Sequence, residues 1–211
     1  MAKQARKPPQ VPIGKALGRI HDGDLGILRP TTAEGRWITR IGRARESHVL
    51  AFYWRRGGKG GKTLWIVEQI APEGRTVPAK PYLLACPSET FTVYRVRKEL
   101  RFDAKRAVEW ALVNIPGVEY DEKGLWRSAL SHMPYIRWYL KPSEDDEANG
   151  NGPQPLYCSA AMSRMARAGG VDLVPGLADR WTEPVDIRRS AALVPVLTIT
   201  HSGGAKHGTT T

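Results

Sequence analysis

Cys158, His48 and Glu68 are the residues of this chain whose types could combine in nucleophilic chemistry. Cys158 stands at the start of Tyr157-Cys158-Ser159-Ala160-Ala161-Met162-Ser163-Arg164-Met165-Ala166-Arg167-Ala168-Gly169-Gly170. The preceding Gly150-Asn151-Gly152-Pro153-Gln154-Pro155 cannot be helical, so a helix must begin close to the cysteine. Ala161, Met162, Met165, Ala166 and Ala168 form an apolar stripe at helical spacing, with Arg164 and Arg167 facing away and the glycine pair as a stop. A thiol at that helix start meets unpaired backbone N–H groups and the positive end of the dipole, which favour the thiolate. A lone cysteine is otherwise a small buried hydrophobe, so the chemistry depends on partners elsewhere.

A thiolate nucleophile works with a base, usually His, and a third group that orients the base. His48 lies in Ser47-His48-Val49-Leu50-Ala51-Phe52-Tyr53-Trp54, a strong strand candidate. The following Arg55-Arg56-Gly57-Gly58-Lys59-Gly60-Gly61-Lys62 reads as a hairpin tip, and Thr63-Leu64-Trp65-Ile66-Val67-Glu68 as the returning strand. Four glycines there do not make a phosphate loop, because such a loop needs a helix directly after it. Antiparallel pairing of 47–54 with 63–70 could bring Glu68 beside His48. A carboxylate in so apolar a segment is costly without a partner, and His48 would supply one.

The remaining elements form the frame. Residues 20–29 read as a tight turn into a short strand, 36–43 as a short amphipathic helix, and 90–97 as a further strand of an antiparallel set. Asp103 caps a helix reaching Ile115, with Ala107, Val108, Ala111, Leu112 and Ile115 inward. The aromatic residues of 125–140, Trp126, Tyr135, Trp138 and Tyr139, are expected to cover one side. Residues 141–156 read as a solvated acidic and Gly-rich loop. Thr182-Glu183-Pro184 opens another helix, and Val194 to Thr200 a last strand, held to an edge by Pro195. The fold class is α+β, helices against a small antiparallel sheet, in a single domain over 13–201 between disordered tails at 1–12 and 202–211.

The chain has 211 residues, 41% of them hydrophobic, with a formal charge of +11. That is enough for one well-buried domain. The charge invites an anionic polymer, although the basic residues are spread along the chain without a zinc-finger or stacked-aromatic pattern. With only two cysteines, Cys86 and Cys158, a disulfide scaffold is excluded and a reducing compartment fits. The five histidines show no ligand-like spacing, so no metal and no cofactor is expected. No apolar run reaches membrane-span length and no secretion signal is visible, which leads to an expectation of a cytoplasmic or virion-delivered protein.

Gly23-Asp24-Leu25-Gly26-Ile27-Leu28, Ser47-His48-Val49, Val67-Glu68, Tyr120-Asp121, Tyr157-Cys158-Ser159 and Thr182-Glu183-Pro184-Val185-Asp186-Ile187 follow in one order. Over roughly 18–193 this order resembles the circularly permuted, NlpC-like papain-fold cysteine hydrolases of the YiiX/YebB-like branch. There the His strand precedes the Cys helix. The resemblance implies Cys158 as nucleophile, His48 as base and Glu68 as the orienting acid, with Tyr157 and Tyr120 lining the substrate cleft. Ala160-Ala161 departs from the acidic and bulky aliphatic pair common in the family. The implied activity is amide hydrolysis, often in cell-wall (peptidoglycan) peptides, with some branches acting on acylated or lipid-like substrates. The alternative from another class is a non-catalytic basic module that holds an anionic polymer.

Cys86 falls in Leu83-Leu84-Ala85-Cys86-Pro87-Ser88, outside every one of these motifs. Cys86→Ser is therefore expected to leave turnover within a few fold of the parent. A loss as large as that of Cys158→Ala in the same assay would identify the wrong thiol.

Overall fold

The computed structural model of the chain describes residues 7–29, 48–58, 60–86, 91–131 and 155–200. Among these residues seven strands form one sheet: β1 (Gln10–Pro12), β2 (Leu25–Leu28), β3 (His48–Arg56), β4 (Lys62–Glu68), β5 (Arg75–Pro78), β6 (Phe91–Val96) and β7 (Leu193–Thr200). Their order is β1-β7-β6-β2-β3-β4-β5. Every neighbouring pair is antiparallel except β1 with β7. The architecture is α+β, and the sheet is mixed and larger than the small antiparallel one expected.

Both faces of the sheet are covered. On one lie α3 (Ala104–Asn114), α5 (Cys158–Ala168) and α6 (Pro184–Arg189); on the other, α1 (Ile13–Ala16) and α2 (Ala79–Ala85). The central strand β3 shows why its sequence is a continuous apolar run. Val49, Ala51 and Tyr53 pack in the α3/α5 layer, while Leu50 and Phe52 pack in the α1/α2 layer. In β2, a Cβ at Gly26 would lie 2.6 Å from the Phe91 ring and 2.8 Å from Leu50 Cδ1, so only glycine lets these neighbours close over the strand.

The long helix α3 begins as expected, with the Asp103 carboxylate accepting a 3.0 Å hydrogen bond from the Arg106 N–H. Ala107, Val108, Ala111 and the adjoining Ile115 are buried. Leu112 is not: it is 37% exposed, having rotated past the edge of the buried stripe. At α6, Pro184 occupies the first turn, and Glu183 with Asp186 forms a reciprocal capping box. Another helix, α4, spans Glu122–Ser131, and its Trp126 is exposed rather than a cover for the fold.

Three expectations are corrected at the borders. Gln10–Pro12 is not part of a tail but a strand paired in parallel with Thr198–Thr200. Its single apolar residue, Val11, between prolines gives no periodic signal. β1 thereby takes the edge, so β7 lies one place inside it. Pro195 is tolerated there because it sits beyond the stretch that β1 pairs and next to an irregularity in the β6–β7 ladder. At the end of the acidic loop, Leu156 is buried and bridges Tyr120. The helix expected at 36–43, the rest of the loop through 154, the aromatic residues beyond 131 and the 202–211 tail fall outside the described residues. Among the described residues, no helix is long and apolar enough to cross a membrane.

Asp24 is 1% exposed at the turn into β2. It accepts from Arg95 Nε and Nη2, both at 2.7 Å, and from the His21 N–H at 2.8 Å. Removing one partner of a buried ion pair strands the other charge. Asp24→Ala should cost about 3 kcal/mol in urea unfolding followed by circular dichroism. A change below about 0.5 kcal/mol would place the pair among ordinary surface contacts.

Candidate active site

The β3–β4 hairpin aligns Ala51 with Val67 and Phe52 with Ile66. Continuing that register sets Glu68 across from Leu50, so His48, two residues earlier, shares its face and is its diagonal neighbour. His48 Nε2 and Glu68 Oε2 are 2.8 Å apart. The Glu68 carboxylate has no exposed surface. Its other lone pairs are taken by the Tyr82 hydroxyl, which donates to Oε2 at 2.9 Å, and by Arg75, whose Nε and Nη2 meet Oε1 at 2.9 and 2.8 Å. Arg75 lies directly opposite Glu68 on β5, and Tyr82 projects from α2.

Cys158 is the first residue of α5 and is buried. Tyr157 caps the helix in extended conformation without a side-chain capping hydrogen bond, which leaves the first N–H groups to other partners. The thiol is hydrogen-bonded to the His48 ring and to the backbone N–H groups of Val49 and Ser159. Because Nε2 of His48 is engaged by Glu68, Nδ1 is the ring nitrogen left to face the thiol.

The electrostatics follow from this chain of contacts. Burial presses the Cys158 thiol upward, but the His48 hydrogen bond and charge and the two backbone donors prevail, and its pKa falls below the ordinary thiol value. Burial likewise presses His48 toward neutrality, yet the contacts with Cys158 and Glu68 raise it to about 10. For Glu68 too, burial opposes ionisation, and the bonds from His48, Tyr82 and Arg75 turn the balance to a lowered pKa. Such an arrangement favours a thiolate–imidazolium pair at neutral pH.

Of the two tyrosines assigned to the cleft, one reaches the thiol. The Tyr120 phenol contacts Cys158, with the Cys158 backbone N–H also bonded to it. Burial and the neighbouring sulfur hold it firmly protonated. Tyr157 turns the other way. It is 1% exposed, and its hydroxyl donates to the Arg180 carbonyl at 2.6 Å, so its side chain anchors α5 and offers no lining surface. Ala160 and Ala161, which follow the cysteine and Ser159 on α5, are both buried in the core.

Arg75 and Tyr82 were not legible as site residues. A buried glutamate demands partners for its lone pairs, but only the β4–β5 turn and α2 decide which side chains arrive. The basic runs are partly structural: Arg95 holds Asp24, and the Arg55 guanidinium lies 5.0 Å over the Trp65 ring.

No protein-family profile and no curated protein matches the chain. Among solved structures it is similar to the metalloprotein yiiX from Escherichia coli O157:H7, DUF1105, at 15% identity and a TM-score of 0.53. The alignment covers 84% of this chain and 96% of that one. Among the described residues here, no three His, Cys, Asp or Glu side chains group as a metal site, and His48, Glu68 and Cys158 are engaged with one another. At that identity the likeness is one of fold: the chain shares its overall architecture with yiiX.

Proposed function

We propose that this chain is a cysteine hydrolase of the permuted NlpC-like papain type, using a Cys158–His48–Glu68 triad to cleave an amide bond. The observation that carries this reading is the imidazole of His48, held between a buried carboxylate and a buried thiol at a helix start. Cys158 Sγ attacks the substrate carbonyl, and the carbonyl π electrons move onto oxygen. The Cys158 backbone N–H and the Tyr120 hydroxyl converge beside the sulfur and suit that oxyanion. As the C–N bond breaks, His48 gives its proton to the leaving amine, and a thioester remains on Cys158. Water then loses a proton to His48 as it attacks the thioester. The acid departs, and the thiolate–imidazolium pair is restored.

The substrate class we favour is a peptide amide of a cell-wall polymer, with acylated or lipid-like amides as the nearest alternative for the same chemistry. Arg55, Arg56 and Lys62 at the β3–β4 hairpin support contact with an anionic polymer. A protein delivered with a virion, or retained in the cytoplasm, fits this reading.

Alkylation with iodoacetamide at neutral pH, mapped by mass spectrometry, tests the thiol. Cys158 should label well ahead of Cys86, whereas equal or absent labelling would sink the proposal. On an amide substrate, Cys158→Ala should abolish turnover and His48→Ala should come close. Glu68→Gln keeps the shape but loses the charge, and should cost on the order of 10- to 10⁴-fold with folding intact by circular dichroism. An unchanged Glu68→Gln rate would reduce the site to a dyad.

The pH profile follows from the signs of the shifts. The working pair needs Cys158 deprotonated and His48 protonated. Rate should therefore rise through a thiol pKa below the ordinary value of about 8.5 and fall as His48 loses its proton near about 10. A rate that first appears above the ordinary thiol pKa would mean that Cys158 is unperturbed.

A further inference from the structure

We propose that Arg75 and Tyr82 are positioning residues of the thiol site, holding Glu68 ionised and aimed at His48, with Arg75 supplying the charge that neutralises the buried chain. The inference rests on the hydrolase reading and extends it to two side chains outside the triad.

Charge bookkeeping carries the first half. In the working state Cys158 is −1, His48 +1 and Glu68 −1, which leaves a net negative charge in a buried cluster. The Arg75 guanidinium, with Nε and Nη2 on Glu68 Oε1 at 2.9 and 2.8 Å, brings the sum to zero. An exposed arginine–carboxylate pair would contribute little. Here Arg75 is 50% exposed but its partner is fully buried, so removing the guanidinium would leave an uncompensated buried carboxylate.

Geometry carries the second half. Tyr82 donates to Oε2 at 2.9 Å, the same oxygen that meets His48 Nε2 at 2.8 Å. With Oε1 gripped by Arg75 and Oε2 shared by Tyr82 and His48, the carboxylate cannot turn about its last bond without breaking contacts on both oxygens. Burial and the adjacent Glu68 charge hold the Tyr82 phenol protonated, which keeps it a donor to the carboxylate. Neither residue touches the thiol in any contact described, so each acts through Glu68. Weakening Glu68 lowers the stability of the imidazolium, and the thiolate then loses part of its counter-charge.

The consequence is a Cys158 thiol that ionises at higher pH when Arg75 and Tyr82 are removed, and this can be read without knowing the substrate. The iodoacetamide labelling rate of Cys158 is measured across pH in the full-length parent, in Arg75→Gln, in Tyr82→Phe, in the double variant and in Arg75→Lys. At pH values below the parent's thiol pKa the double variant should label about tenfold more slowly, with rates converging at alkaline pH, as a displacement of one pH unit requires. Arg75→Lys, which keeps the charge but not the fork, should recover part of the loss. Should the double variant fail to fold by circular dichroism, Tyr82→Phe alone remains decisive, since it removes one hydroxyl and should slow labelling about threefold below the parent's thiol pKa. Folded variants whose labelling curves coincide with that of a fast-labelling parent would overturn this inference alone. A parent in which Cys158 labels no faster than Cys86 would overturn it together with the hydrolase reading.

Discussion

A fully buried carboxylate at the end of β4 is the constraint around which the rest of the structure is arranged. An ionised glutamate without water is too costly to keep unless its lone pairs are filled and its charge is opposed. Glu68 meets both conditions from three separate elements: His48 at the start of β3, Arg75 on the edge strand β5 and Tyr82 on α2. Each bond to the charged group is worth about 1.5–3 kcal/mol, so the ionised state and the local fold support each other. Through His48 the same group reaches the thiol on the opposite side of the strand end.

Two other buried carboxylates put this site in relief. Asp24 is held by Arg95, and Asp179 by Arg167 at 2.8 Å. In both, an arginine answers a buried acid and ties distant segments of chain together: β6 to the β2 turn, and α5 to the 3-10 turn at Asp179–Trp181. Glu68 follows the same rule with Arg75 but carries a histidine as well. The imidazole is what makes this pair chemical as well as structural, because it can hold a proton or give it up in the range where a thiol ionises.

The sheet gives the site its rigidity. With helices on both faces, β3 is buried on either side of its plane, and the His48 end of the strand is fixed by the same packing that seats α5. The thiol therefore stands on a helix whose first two turns are buried almost all round, facing an imidazole on a central strand. Placement on regular elements limits the small misalignments that are costly in nucleophilic catalysis.

Much of this was written in local sequence. His48–Arg56 and Lys62–Glu68 pair as a hairpin because two apolar stretches joined by a glycine-rich sequence admit little else, and their register follows from keeping both faces buried. That is why a His48–Glu68 contact could be expected from the residues alone, and why a helix was bound to begin near Cys158 after so many glycines and prolines. The short border strands were beyond local reading. β1 has one apolar residue besides its proline, and β5 has only Val77 before the proline that ends it, so neither carries a periodic signal. The inward turn of Tyr157, the contact of Tyr120 with the sulfur and the arrival of Arg75 and Tyr82 at Glu68 were also decided by tertiary structure. A side chain's neighbours across a sheet are set by how distant segments pack, whereas the sequence by itself determines which groups are available and which of them cannot be left alone.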